Sequence, residues 1–141
     1  MALRPVLIDT GPLVAYLDRT DAEHEAVSGF LDDFKGMLCT TTAVITEAMY
    51  LLKDAPTGPR RLAEFADAAR LEIAALTDTK DLLLAADLIE KYASVPMDFA
   101  DATLVMLSDE LNSTRIITLD RRGFRIYRRR KGRRTFEILP A

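Results

Sequence analysis

A chain of 141 residues, 49% apolar, with 22 acids against 19 bases, one cysteine and no tryptophan, has the length of one domain. A chain of that length can bury about two-thirds of the surface it exposes when unfolded. The lone Cys39 excludes a disulfide framework and any multi-cysteine zinc site, and the lone His24 excludes chemistry that needs a histidine pair.

In residues 1–9 the apolar run Val6-Leu7-Ile8 is too short for a signal-peptide core, and no stretch approaches the roughly 18–20 apolar residues of a membrane span. A soluble, cytoplasmic protein is expected. Residues 4–8 read as a buried strand ending at Asp9. Gly11-Pro12 opens a helix through Leu17, since proline is tolerated in a first turn. Thr20-x-x-Glu23 has the spacing of a capping box, and Val27, Phe30, Leu31 and Phe34 then repeat at helical intervals. Residues 37–40 predict a second strand, and Thr41 or Thr42 can cap a helix running through Glu47 to Lys53.

Ala55-Pro56-Thr57-Gly58-Pro59 predicts a turn between helices. A helix over 60–69 and a third strand over 71–75 follow. Thr79 is placed to cap a long helix with Ala85, Leu88, Ile89 and Tyr92 on one face. Pro96-Met97-Asp98 starts another, apolar nearly all round (Ala100, Ala102, Leu104, Val105, Leu107) and therefore expected to be central. Residues 115–119 predict a fourth strand ending at Asp120. Residues 124–130 and 135–139 are expected to close the chain as a hairpin across Lys131-Gly132. Strands alternating with helices specify an α/β fold: a three-layer α/β/α sandwich around a mainly parallel sheet, one domain over 1–141. Ligands of such sheets sit beyond the carboxyl ends of the strands.

That rule directs attention to acids placed where charge is costly. Asp9 and Asp120 each follow an apolar strand. Glu47 lies within Ala43-Val44-Ile45-Thr46-Glu47-Ala48-Met49-Tyr50, and Asp101 within Phe99-Ala100-Asp101-Ala102-Thr103-Leu104-Val105. The aspartates have structural alternatives: Asp9 and Asp98 suit helix N-caps, Asp101 a first helical turn, Asp120 a turn. Glu47 has none. A buried carboxylate needs a partner, and no lysine or arginine is at hand for all of them. A hard dication, Mg²⁺ or Mn²⁺, accepts oxygen ligands of this kind and activates water at a phosphoryl centre.

The successive segments Ile8-Asp9-Thr10-Gly11-Pro12-Leu13-Val14-Ala15, Thr46-Glu47, Asp98-Phe99-Ala100-Asp101-Ala102 and Thr118-Leu119-Asp120-Arg121-Arg122-Gly123-Phe124 resemble the motifs of the PIN-domain ribonucleases. Among these, the VapC-type toxins of bacterial toxin–antitoxin pairs are the nearest in length and motif order. The resemblance implies metal-dependent hydrolysis of RNA by an acidic quartet, Asp9, Glu47, Asp101 and Asp120, with Asp9 and Asp101 as direct metal ligands. It implies auxiliary roles for Thr10, Asp98 and Thr118, a cognate antitoxin covering the site, and a homodimer. Gly11 departs from the family, many of whose members carry serine or threonine there.

The charge is unevenly divided. Residues 121–141 hold nine bases and one acid, whereas residues 1–120 hold ten bases and 21 acids, so a body near −11 carries a tail near +8. An acidic site and a polyanion or acidic partner meeting at one end of the molecule are expected. Arg121, Arg122, Arg125, Arg128, Arg129 and Arg130, in a basic segment spanning 121–135, are the candidate RNA contacts, and Tyr127 is a candidate for stacking on a base. Phe124 reads as core, Cys39 as a buried small hydrophobe and His24 as a surface residue. The alternative function is a non-catalytic PIN-like module that binds RNA or protein.

Overall fold

The computed structural model describes residues 4–141; residues 1–3, part of the stretch weighed above for targeting, lie outside the described residues. The sheet has five strands, β1 (Pro5–Ile8), β2 (Met37–Thr41), β3 (Glu72–Ala74), β4 (Arg115–Ile117) and β5 (Glu137–Leu139), in the order β3-β2-β1-β4-β5. Every pairing in it is parallel. Seven helices flank it: α1 (Thr10–Leu17), α2 (His24–Asp33), α3 (Thr42–Leu51), α4 (Gly58–Ala68), α5 (Thr79–Lys91), α6 (Phe99–Leu111) and α7 (Arg121–Ile126). Strand β1 sits at the centre because Val6, Leu7 and Ile8 are apolar in succession and are covered on both faces. The chain leaves β1 toward β2 and later returns on its other side as β4. The carboxyl ends of β1 and β4 therefore form the switch point of the sheet.

Helix α6 is as central as its composition requires, with Ala102 through Ser108 all buried. Phe124 and Cys39 are core, as expected. Thr41, one of the two caps considered, accepts the Val44 N–H. No helix among the described residues is long and apolar enough to cross a membrane.

Three local expectations fail, each through a competing side chain. The Thr20-x-x-Glu23 box does not form, because Asp18 takes both the Thr20 N–H and its hydroxyl while Asp21 takes the Glu23 N–H. At α5 the cap is Asp78, which exchanges hydrogen bonds with Asp81 and leaves Thr79 inside the helix. The closing hairpin is replaced by α7 followed by β5, which runs parallel to β4; only the Arg128–Thr135 bridge is antiparallel. Phe124 and Tyr127 lie three residues apart and are both fully buried, which is helical spacing that the alternation of Phe124 with Ile126 conceals.

His24 also departs from expectation. It is half-buried, with Nδ1 2.7 Å from the carbonyl of Ala15, and so ties α2 to α1.

Candidate active site

Asp9 ends β1 and caps α1. One carboxylate oxygen accepts the Thr10 N–H at 2.7 Å, and the other accepts the Thr118 hydroxyl at 2.8 Å. The Asp9 N–H donates to the carbonyl of Ile117, tying the ends of β1 and β4 together. Thr118 also accepts the Asp120 N–H at 3.0 Å, and Asp120 in turn caps α7 by accepting the Gly123 N–H. One buried hydroxyl thus spaces two acids across the switch point.

The third and fourth acids come from α6. Asp98 is its N-cap and Asp101 its N3 residue, and the two exchange hydrogen bonds in a capping box at 2.8 and 3.1 Å. Both structural alternatives read from the sequence are therefore present, and neither removes the charge from the site. Burial raises the Asp9 carboxyl to about 6 against the stabilising bonds from Thr118 and Thr10, and Asp98 and Asp120 add repulsion. Asp101 is pushed up to about 8, first by burial, then by Asp9 and Asp98. Asp9, Asp98, Asp101 and Asp120 therefore share one field.

Glu47 stands apart from that set. Its side chain is half-buried and lines a shallow groove between α3 and the start of α6 with Ala43, Thr46, Tyr50, Asp98, Phe99 and Ala100. Its groove meets the acidic site at Asp98, and Glu47 is less enclosed than its apolar neighbours in sequence suggest. Asp120 and Asp98 are likewise exposed, and Asp101 is half-buried. Among the described residues, no three Asp, Glu, His or Cys side chains are gathered tightly enough to enclose an ion by themselves.

Four residues that the sequence did not single out as builders of the site shape it. Tyr127 is fully buried, packed edge-on against Phe124 and Tyr92, and donates its hydroxyl to the carbonyls of Val95 and Pro96 just before α6. It cannot stack on a base. Burial and then the four aspartates hold its phenol well above the usual range, so it forms an un-ionised floor. Gly123 is required by close approach: a Cβ there would drive into the Asp120 carboxylate and lie 2.9 Å from the Tyr127 ring. The Thr41 and Thr103 hydroxyls meet at 2.8 Å and brace α3 against α6. Only a hydroxyl inside an apolar run marked Thr103, and its partner is 62 residues away.

The basic segment is not gathered at one end. Arg129, expected to face RNA, is 8% exposed and paired with Asp109 at 3.4 Å. Arg128 folds its guanidinium onto the carbonyls of Arg125, Ile126 and Tyr127 at the end of α7, and Arg121 donates to the carbonyl of Pro140. Arg122, Arg125 and Arg130 are exposed. The segment leaves the acidic edge with α7 and descends to the amino edge, where β5 begins opposite Arg115.

Comparison with known proteins agrees with this geometry. The family model for the PIN domain matches residues 6–130. The chain is 32% identical over 137 residues to ribonuclease VapC26 of Mycobacterium tuberculosis (strain ATCC 25618 / H37Rv), a match covering 96% of this chain and all of that one. In fold it is similar to the crystal structure of Mycobacterium tuberculosis VapC20, described as a Sarcin-Ricin loop cleaving toxin. The TM-score is 0.70 at 16% identity, over 79% of this chain and 86% of that one. The chain belongs to the PIN-domain family and, within it, to the VapC-type ribonucleases.

Proposed function

We propose that this chain is a Mg²⁺- or Mn²⁺-dependent endoribonuclease, the toxin of a toxin–antitoxin pair acting in the cytoplasm. The observation that carries the reading is a cation-free convergence: burial and neighbouring aspartates raise both Asp9 and Asp101, and no lysine or arginine offsets them. The donor set fits a hard dication, since it offers oxygen only, and the buried Thr10 hydroxyl beside Asp9 has no hydrogen-bond partner among the described residues. Asp9 and Asp101 would hold the ion, which Mg²⁺ permits because it keeps several waters and needs one or two direct carboxylates. When bound, such an ion supplies activated water and neutralises charge growing on a phosphoryl oxygen.

The protein's own groups set the stage for that chemistry. Thr118 and the Thr10 N–H orient Asp9, while the Asp98 capping box orients Asp101. Glu47 and Asp120 flank the entrance, where either can accept a proton from water. Arg122, exposed two residues after Asp120, would meet phosphates, and Arg121, whose guanidinium already donates to the Pro140 carbonyl, would do so with its remaining N–H groups. Exposed Tyr50, Leu51 and Phe99, on α3 and at the start of α6, offer an antitoxin an apolar foothold beside the carboxylates. Leu82 and Leu83 on α5 offer one to a second copy of the chain.

The test compares cleavage of a mixed-sequence RNA by wild type, Asp9→Asn and Asp101→Asn, each with Mg²⁺, Mn²⁺ or EDTA. Each substitution is expected to lower cleavage by about 10²–10³-fold, and EDTA to abolish it. Equal cleavage by all three proteins, or cleavage that survives chelation, contradicts the reading.

A further inference from the structure

The basic loop after α7 builds a surface that the catalytic reading does not use. The Arg129 N–H donates to the carbonyl of Arg134 at 3.0 Å, closing a turn in which Gly132 (φ 76°) and Arg133 (φ 51°) are left-handed. Beneath that turn the Arg129 guanidinium meets Asp109 of α6, and the Lys131 N–H donates to the same carboxylate oxygen at 3.0 Å. Both side chains are 9% exposed, and Asp109 Oδ2 and Arg129 Nε have no hydrogen-bond partner among the described residues. A buried pair with such incomplete bonding offsets little of its own desolvation. Its consequence is geometric: it pins the loop to the far half of α6, about 12 Å along the axis from Asp101.

From there the chain reaches the amino edge of the sheet, where Arg134 lines a polar hollow with Arg4, Asn112, Ser113, Thr114 and Arg115. Arg115 shares its charge with Glu137 at 3.5 Å. Arg130, Lys131, Arg133 and Arg134 are exposed, and none has an ion-pair partner among the described residues. A protein partner needs apolar anchors at the centre of its contact, and among the described residues Pro5 and Leu111 are the only apolar side chains lining this hollow. Unpaired guanidinium groups beside hydroxyl and amide groups suit phosphate oxygens.

We propose that this loop and hollow form a second phosphate-binding surface for single-stranded RNA, remote from the carboxylates and shaped by the Arg129–Asp109 clasp. That the ligand is RNA rests on the ribonuclease reading above; that the surface exists rests on the loop. A strand held at the acidic edge reaches it only by running down the flank of α6, so affinity is expected to grow with RNA length.

The test is fluorescence anisotropy with labelled mixed-sequence RNAs of about 5 and about 20 nucleotides, in EDTA and across a salt series. Combining Arg130→Ala, Lys131→Ala, Arg133→Ala and Arg134→Ala is expected to weaken 20-mer binding about tenfold or more. The same variant is expected to flatten the log K against log salt slope by about 2–3. Asp109→Asn retains every loop cation and is expected to weaken 20-mer binding about 3–10-fold, with a smaller change of slope, while a thermal melt reports folding. Should Asp109→Asn not fold, the fourfold variant, altered only at exposed positions, still decides.

Unchanged 20-mer affinity and slope in that variant overturn the proposal. So does an equal loss on both RNA lengths, or unaltered RNA binding with lost binding of poly-glutamate, which would mark a protein partner. Length-dependent binding as expected, without metal-dependent cleavage by wild type, would leave this surface standing and refute the nuclease.

Discussion

The two ends of α6 treat buried acid in opposite ways. At its start, Asp101 faces Asp9 and Asp98, and its carboxyl is forced up to about 8. Two turns further on, Asp109, its side chain 9% exposed, carries Arg129 and the Lys131 N–H on one oxygen. Both acids belong to one helix and are partly withdrawn from water, and what sets them apart is the cation beside Asp109. Where the chain supplies its own cation, the acid fastens one segment to another. Where it withholds one, the fold spends stability to keep a negative site open, a pattern that marks binding and catalysis.

Breaking the clasp gives the largest expected effect on stability. Arg129→Ala strands the Asp109 carboxylate in a buried setting and is expected to cost about 3–5 kcal/mol, read from urea unfolding. Closing the space between Asp120 and Tyr127 comes next. Gly123→Ala places a methyl against both, with an expected cost of about 1–3 kcal/mol and a matching loss of RNA cleavage. Glu47→Gln sharpens the contrast within the acidic end. Because Glu47 is only half-buried and shares no more than a groove with Asp98, cleavage is expected to fall about tenfold, well short of the loss in Asp101→Asn.

Much of this was legible in the sequence. The parallel sheet follows from short apolar runs separated by helical periods, and Asp9, Asp98, Asp101 and Asp120 are found at the strand ends and helix start that their neighbours imply. The misread helix starts and the missing hairpin share one physical origin, competition between residues for the same backbone groups. Asp18 outbids Thr20, Asp78 outbids Thr79, and Asp120 turns the next residues into α7 instead of a hairpin arm. The partner of Arg129 lies 20 positions back, on a helix whose phase relative to the loop only tertiary packing determines. Local charge made that arginine look like its neighbours; burial separates it from them.

If Asp9 and Asp101 hold a dication, as proposed, thermal melting across pH with and without Mn²⁺ must reveal it. Both carboxyls titrate higher in the fold, at about 6 and about 8, than the ordinary value near 4 of an unfolded chain. The metal-free fold therefore binds more protons across that window, and its stability falls as pH rises from about 4 to about 8. A bound dication reverses the balance, because it requires both groups ionised. Mn²⁺ is therefore expected to raise Tm far more at pH 8 than at pH 5, and combining Asp9→Asn with Asp101→Asn is expected to remove the rise. An equal rise at both pH values, or one that persists in that double variant, would contradict the proposal.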